Sequence, residues 1–221
     1  MERQIWAITT LTLKVMRKNN KRSNSSISFV VDGKCEFWYL QKWREYENLN
    51  INLKPKLPKT KTLKKQFDLA VELSLDSEKV FWIIDFDTIL KETREAKKGI
   101  KTPPLREFQE LYNKCKRYKN IIVIVNNPCL EYWFLQHFER TAKHFLSCEQ
   151  VEKPLKKYLP DYKKTEKYYK NSRLNIYQRL QSNLPNAITN AEKLGEFDFN
   201  KVQSEGIAEM HKIFNELTPT K

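Results

Sequence analysis

Apolar residues follow two patterns that alternate along the first two thirds of the chain. Continuous apolar runs predict buried strands at residues 27–31, 80–84 and 121–125. An apolar and polar alternation predicts a half-exposed strand at residues 49–53. Helical spacing of apolar side chains predicts helices at residues 36–43, 63–75 and 103–118. The alternation of strand and helix favours an α/β fold with a mainly parallel sheet flanked by helices.

The end of the third buried run predicts the start of a further helix. Asn126 and Asn127 offer a cap, and Pro128 suits a first helical turn. We therefore expect a helix that starts here and continues through Trp133 and Phe138. The segment between the second run and Pro103 is expected to be a charged loop.

Beyond Ser147 the sequence contains helical patterns and no convincing strand, with helices expected around residues 151–159, 174–194 and 202–217. The chain is accordingly divided into a basic N-terminal arm (1–26), an α/β core (27–147) and a helical extension rich in Lys and Tyr (148–221). Residues 5–16 are moderately apolar, but they are too short and too polar to cross a bilayer and lack a clear cleavage site. We expect neither a membrane span nor a signal peptide.

The net charge of +14 indicates a polyanionic partner, with nucleic acid as the first candidate. A solvated surface is the alternative explanation of the excess lysine. Two stretches concentrate the charge: Lys54, Lys56, Lys59, Lys61, Lys64 and Lys65, and then Lys153, Lys156, Lys157, Lys163, Lys164, Lys167 and Lys170. The second contains Tyr158, Tyr162, Tyr168 and Tyr169, which suit either base stacking or anchoring in a core.

Cysteine and histidine spacing gives no sign of a zinc site. The four cysteines, Cys35, Cys115, Cys129 and Cys148, form no CxxC pair, and the three histidines complete no ligand spacing. We interpret the cysteines as free thiols in a reducing compartment, which predicts a cytoplasmic protein.

Carboxylates follow each of the three buried runs. Asp32 follows the first, Asp85 and Asp87 follow the second, and Glu131 lies in the first helical turn after the third. Parallel strands place these ends at one edge of a sheet. Residues i and i+2 leaving a strand point the same way, so Asp85 and Asp87 can share a hard cation, with Mg²⁺ the natural candidate. The alternative is that such a pair caps a helix or enters a loop.

Three blocks of this sequence resemble the signature blocks of RloB-like proteins: Val31-Asp32-Gly33-Lys34-Cys35-Glu36, Ile84-Asp85-Phe86-Asp87, and Asn127-Pro128-Cys129-Leu130-Glu131-Tyr132-Trp133 with His137-Phe138. Their order and spacing match over about residues 27 to 215. The resemblance implies a TOPRIM-like fold, in which a glutamate after the first strand acts in acid/base chemistry beside an Asp-x-Asp metal site. It assigns the metal to Asp32, Asp85 and Asp87.

The chain departs from the family at the first of these acids. The family usually has Glu-Gly where this chain has Asp32-Gly33, and a side chain one methylene shorter reaches about 1.5 Å less far. The longer side chain of Glu36 could take the place of the missing glutamate, either as a ligand of the cation or as a group that accepts or donates a proton. The alternative is that Glu36 is an ordinary first-turn acid, which interacts favourably with the helix dipole. Glu131 is either a further ligand, a residue that orients Lys34, or an ordinary first-turn acid.

The function that these features predict is magnesium-dependent cleavage of RNA, with tRNA as one candidate, or of DNA. Asp32, Glu36 and Glu131 are the candidate catalytic residues. Nucleic acid would be held by the basic side chains Lys34, Lys156, Lys157, Lys163 and Lys164. The resemblance further implies a phage-defence effector of abortive infection with an ABC or AAA-type ATPase partner, and a homodimer is also considered. The rivals are an inactive TOPRIM-like module that binds nucleic acid or the ATPase, and a nucleotidyl-transfer enzyme.

Overall fold

The computed structural model describes residues 26–49, 62–96 and 102–217. The elements of its first half are β1 (Ile27–Val31), α1 (Lys34–Glu47), α2 (Leu63–Ser74), β2 (Lys79–Asp85), α3 (Phe86–Glu95), α4 (Pro104–Cys115), β3 (Ile121–Asn127) and α5 (Leu130–Gln136). The remainder contains α6 (Cys148–Leu155), α7 (Glu166–Tyr169), α8 (Ile176–Leu180), a 3₁₀ turn (Gln181–Asn183), α9 (Leu184–Glu192), β4 (Ile207–Ala208) and α10 (His211–Leu217).

The four strands form one sheet in the order β1-β2-β3-β4. The pairs β1·β2 and β2·β3 are parallel, and the short β4 is antiparallel to β3. This arrangement confirms the predicted α/β class with a mainly parallel sheet flanked by helices. The three apolar runs are confirmed as strands, because their continuous apolar composition suits a sheet that is covered on both faces.

Helices cover both faces of the sheet. Phe29 and Phe81 point to one face and belong to a hydrophobic cluster that includes side chains of α1, α5 and the helices of the extension. Val30 and Trp82 point to the other face, in a second cluster with side chains of α2, α3 and α4. The period of two along each strand thus divides the core into two layers.

The segment after β2 corrects one prediction, because the expected charged loop contains the helix α3. Its buried side chains are Phe86 and Ile89, and most of its other residues are charged or polar. One narrow apolar stripe is enough for a helix that packs on a sheet. The premise that Asp85 and Asp87 leave an extended strand is therefore wrong: Asp85 ends β2 and caps α3, while Asp87 lies in the first turn.

The start of α5 differs from its prediction as well. The helix begins at Leu130 and its N-cap is Cys129, whereas Asn126 and Asn127 remain in β3. The Asn127 side-chain amide donates to the backbone carbonyls of Val202 and Glu205, at 2.9 and 2.8 Å. The Asn127 amide therefore bonds to a segment that is distant in sequence and does not form the helix cap that the local sequence predicts.

The extension is helical, but it also contributes a strand, contrary to expectation. The helix expected over residues 202–217 is replaced by turns, β4 and α10. The helix expected over residues 174–194 is divided into α8, the 3₁₀ turn and α9. Within the described ranges, no helix is long and apolar enough to cross a membrane. The N-terminal arm and the predicted strand at 49–53 lie outside the described residues, except for Ser26 and Leu49.

The prediction of four free thiols is wrong for two of them. Cys129 and Cys148 form a disulfide across 19 residues of sequence, while Cys35 and Cys115 are free. The bond connects the N-cap of α5 to the first residue of α6, so it joins the predicted core to the predicted extension. Sequence spacing could not indicate this pair, because only the fold brings the two helix starts together.

Candidate active site

The carboxyl ends of the parallel strands and the helix starts that follow them surround a small cavity. Asp32 follows β1, Asp85 ends β2, and Glu131 lies in the first turn of α5, after β3. The cavity has a volume of about 190 Å³, and its charged lining residues are Asp32, Lys34, Glu36, Asp85, Glu131 and Lys164. Three of the four strand-end acids predicted to meet here are thus brought together, with Glu36 beside them.

Glu36 is an acid held inside the protein. It is only 2% exposed, and no hydrogen-bond partner of its Oε2 atom is found among the described residues. Burial raises the pKa of Glu36 to about 7, and the negative charges of Glu131 and Asp32 add to this effect. A buried oxygen without a donor is costly unless a proton or a cation satisfies it.

Gly33 provides the space that the Glu36 carboxyl occupies. A Cβ atom at Gly33 would lie 2.6 Å from Glu36 Oε2, which is closer than a stable contact allows. The Glu36 carboxyl thus occupies space that is open because Gly33 has no side chain. Any side chain at Gly33 would displace the Glu36 carboxylate from its present position.

Asp85 lies where the other acids converge. Its Oδ1 atom accepts a hydrogen bond from the Leu130 backbone N–H at 3.0 Å, which connects the end of β2 to the start of α5. Burial raises the pKa of Asp85 well above its usual value, and the charges of Glu36, Glu131, Asp87 and Asp32 raise it further, in that order. Acids with raised pKa values in a cavity are typical of functional sites.

Asp87 connects α3 to α6. Its Oδ2 atom accepts a hydrogen bond from the Cys148 backbone N–H at 3.2 Å, and its own N–H donates to the Pro128 carbonyl at 3.0 Å. Burial raises the pKa of Asp87, although the Cys148 bond and the charge of Lys164 oppose that shift. Asp87 is close enough to influence Asp85, but it does not line the cavity.

Asp32 is supported by two residues that the sequence analysis did not identify. The Gln66 side-chain amide donates from Nε2 to Asp32 Oδ1 at 2.8 Å. The Trp82 indole N–H donates to Gln66 Oε1 at 2.9 Å. These three residues are 34 and 16 positions apart in sequence and meet only because α2 packs on β1 and β2. No local motif could have indicated them.

Glu131 is almost fully buried and is surrounded by donors. Its Oε1 atom accepts a hydrogen bond from the Tyr162 hydroxyl and pairs with Lys164 Nζ at 3.2 Å. The ion pair thus forms with Lys164 of the extension rather than with Lys34, which is the exposed first residue of α1. Burial lowers the pKa of Lys164, but the charges of Glu131 and Glu152 outweigh burial and raise it.

The tyrosines of the second basic stretch are mostly core residues. Tyr162, Tyr168 and Tyr169 are buried, and Tyr162 and Tyr169 share a hydrogen bond of 2.6 Å. Tyr158 is exposed and stacks on Phe138 with ring centroids 4.8 Å apart. Core anchoring rather than base stacking therefore accounts for three of the four.

The predicted nucleic-acid lysines fall into two groups. Lys34 and Lys164 line the cavity. Lys156, Lys157 and Lys163 are exposed on the extension, and Lys156 pairs with Glu152 at 3.7 Å. Glu152 also pairs with Lys164 at 3.5 Å, so the two groups are connected through one acid. Of the first basic stretch, Lys64 and Lys65 belong to the part of the chain that the structure describes, and they lie in the first turn of α2.

The donors at the cavity suit a hard cation. Asp32, Glu36 and Asp85 offer carboxylate oxygens, the ligand type that Mg²⁺ prefers. The unsatisfied Oε2 atom of Glu36 is the observation that favours a cation here. In the described part of the chain, one group of three ligand atoms lies within 4.8 Å of one another, and it consists of Cys129, Glu131 and Cys148. The two sulfurs of this group are joined in the disulfide, and neither Asp32, Asp85 and Asp87 nor Asp32, Glu36 and Asp85 form such a group in this arrangement.

The fold and site define an α/β protein with an acid-lined cavity at the carboxyl edge of a mainly parallel sheet. The family described as RloB-like protein matches residues 27–217, which is most of the chain. The chain therefore belongs to the RloB-like protein family. It has no significant match among curated proteins or among solved structures.

Proposed function

We propose that this chain is a magnesium-dependent nuclease of the TOPRIM type, which cleaves RNA, with tRNA as one candidate, or DNA as a phage-defence effector. The observation that carries the proposal is the cavity at the strand ends, where Glu36 and Asp85 have raised pKa values beside Asp32. Acids in such surroundings either hold protons or bind a cation. Membership of the RloB-like family supports cation binding as the role of these acids.

The acids have separate proposed roles. Asp32, Asp85 and Asp87 would hold Mg²⁺. Glu36 lines the cavity beside Asp32 and Asp85, and its Oε2 atom, which has no hydrogen-bond partner among the described residues, would serve as a ligand or as a proton acceptor. When bound, Mg²⁺ would stabilise charge on a phosphate and make a bound water more acidic. Glu131 would act through Lys164, because it holds that ammonium at the cavity by an ion pair of 3.2 Å.

The basic side chains would hold the substrate backbone. Lys34 and Lys164 are placed to contact a phosphate at the cavity, and Lys156, Lys157 and Lys163 to contact phosphates further along a strand. A cytoplasmic location, an ATPase partner and a homodimer belong to the same proposal. The Cys129–Cys148 disulfide counts against the cytoplasmic location, because such bonds are typical of oxidising environments.

The proposal is tested by cleavage of RNA and DNA panels, including total cellular RNA, with and without Mg²⁺. Asp85→Asn keeps the size of the side chain and removes its charge, so we expect it to lower the cleavage rate by about 10² or more. Glu72→Asn changes an exposed acid on α2 and serves as the control. Equal products from wild type and Asp85→Asn would contradict the nuclease proposal.

A second candidate function, an inactive module that binds nucleic acid or the ATPase, is favoured by two observations. Asp32 stands where the family usually has a glutamate, and Asp87 accepts a bond from the Cys148 backbone instead of lining the cavity. Asp32→Glu distinguishes the two candidates. A gain of cleavage in this variant over an inactive wild type would support the inactive module.

A further inference from the structure

We infer that Gln66 is a positioning residue for Asp32, and that Trp82 fixes the direction in which the Gln66 amide points. This inference rests on the proposed metal-dependent function, since it concerns how one of the proposed ligands is held. It assigns a role in the site to two side chains from different elements, α2 and β2. Neither of them carries a charge.

The three side chains form a continuous chain of hydrogen bonds from the core to the cavity. Trp82 is fully buried in the middle of β2, and its Nε1–H donates to Gln66 Oε1 at 2.9 Å. Gln66 is 1% exposed, and its Nε2 donates to Asp32 Oδ1 at 2.8 Å. Asp32 lines the cavity at the other end of this chain.

The chemistry of the indole sets the polarity of this chain. A glutamine amide has a donor end and an acceptor end that can exchange places by rotation about its last torsion. An indole N–H can only donate, so Trp82 requires the amide oxygen to face it. The Nε2 donor must then face Asp32. Trp82 thus ensures that Asp32 meets a donor and not the lone pairs of a carbonyl.

A neutral donor suits a metal ligand in these surroundings. A second cavity of about 390 Å³ borders the same residues, with Asp32, Gln66, Asp85, Glu92 and Glu107 in its lining. No lysine or arginine is among the described residues that line this second cavity, whereas Lys34 and Lys164 line the first. A hydrogen bond from Gln66 holds the Asp32 carboxylate in place without adding a further positive charge beside it. Partners of metal ligands act in this way in many metal sites.

The test is direct binding of Mn²⁺, as a stand-in for Mg²⁺, measured by electron paramagnetic resonance on the full chain. Gln66→Leu removes the donor and keeps a similar volume. We expect half-saturation to need about 10-fold more Mn²⁺, in line with the loss of other such partners. Cleavage by this variant should show the same shift in its Mg²⁺ dependence and recover at high Mg²⁺.

A matched control separates positioning from stability. Gln136 is also a fully buried glutamine, and it donates to the Thr141 carbonyl at 3.0 Å, away from the cavity lining. Gln136→Leu should lower the melting temperature but leave the Mn²⁺ half-saturation unchanged. Trp82→Phe offers a second variant, because it frees the amide to rotate, and we expect a smaller shift in the same direction.

The outcomes distinguish this inference from the proposed function. A wild type that binds Mn²⁺, with Gln66→Leu and Trp82→Phe at the same half-saturation, overturns the positioning role and leaves the function standing. A Gln136→Leu shift equal to that of Gln66→Leu also overturns it, because general destabilisation then accounts for both. A wild type that binds no Mn²⁺ overturns both the inference and the proposed metal site.

Discussion

Glu36 is an acid in a place where an anion is costly. Its carboxyl is buried over Gly33, it lies near three other acids (Asp32, Asp85 and Glu131), and one of its oxygens lacks a donor in the described part of the chain. Burial, which is the largest cause, raises its pKa from 4.5 to about 7. In the absence of a cation, the folded protein therefore favours the protonated form of this side chain.

The stability of the metal-free protein should depend on pH through Glu36. A raised pKa in the folded state means that this contribution is present below pH 4.5 and is lost as the pH rises through 7. Glu36→Gln cannot ionise, so in EDTA we expect it to be more stable than wild type at pH 8, by up to about 3 kcal/mol. At pH 5 the difference should fall to about 0.8 kcal/mol, because only part of the titration then remains. Urea unfolding at both pH values measures it.

The exposed acid Glu72 provides the comparison. Glu72→Gln should differ from wild type by no more than about 0.5 kcal/mol at either pH, as is usual for surface substitutions. If Glu36→Gln also differs from wild type by no more than this at pH 8, then burial does not raise the pKa of Glu36 in the folded protein as described.

At the scale of elements, the sequence predicted what local patterns determine. The three continuous apolar runs identified β1, β2 and β3, and the helical spacing identified α1, α2 and α4. The narrow apolar stripe of α3 was missed because charged residues dominate that segment. The strand β4 was missed because two residues carry no periodicity, and only pairing with Asn126 and Asn127 defines it.

The candidate site also combines residues that the sequence predicts with contacts that it does not predict. Asp32, Asp85 and Glu131 were predictable because parallel strands bring their carboxyl ends to one edge. The contacts of Gln66 and Lys164 with these acids were not, because they depend on how α2 and the extension pack. Sequence patterns fix which edge carries the site, and tertiary packing fixes what surrounds each acid.

The Cys129–Cys148 disulfide should stabilise the connection between α5 and α6. Closing a loop across 19 residues restricts the unfolded chain, a contribution of about 3 kcal/mol. We expect the double change Cys129→Ser and Cys148→Ser to lower the melting temperature by several degrees. Reductant should lower it in wild type and leave the double variant unchanged.

The free cysteines supply the control for this prediction. Cys35→Ser with Cys115→Ser leaves the bonded pair intact, so its melting temperature should still respond to reductant. Alkylation and mass measurement on unreduced protein should detect two reactive thiols in the denatured wild type. Four reactive thiols would contradict the disulfide.

At the scale of the whole molecule, the extension and the core share one interior. Tyr162 and Tyr169 of the extension belong to the same hydrophobic cluster as Trp38 and Phe134. The extension also brings Lys164 to the cavity and exposes Lys156, Lys157 and Lys163. Lys34 and Lys164 thus place positive charge at the acid-lined edge of the sheet.

The exposed lysines of the extension should contribute to nucleic-acid binding through their charge. We expect Lys156→Glu with Lys157→Glu to weaken binding to single-stranded RNA and DNA and to reduce the slope of log affinity against log salt by about 1 to 2. Fluorescence anisotropy from 50 to 300 mM KCl measures both. The same charge change at Lys114 and Lys119, near the opposite edge of the sheet, should have a smaller effect. Equal losses from both pairs would indicate nonspecific attraction.

Calorimetric titration of the metal-free protein with Mg²⁺ will show whether the acids at the strand ends form a divalent-cation site. Glu36 and Asp85 have raised pKa values, so binding should release protons near pH 7. We expect saturable binding by wild type, a heat that varies with the buffer, tighter binding as the pH rises from 6 to 8, and loss of binding in Asp85→Asn. Absence of binding by wild type, or equal binding by wild type and Asp85→Asn, would show that these acids do not form the site.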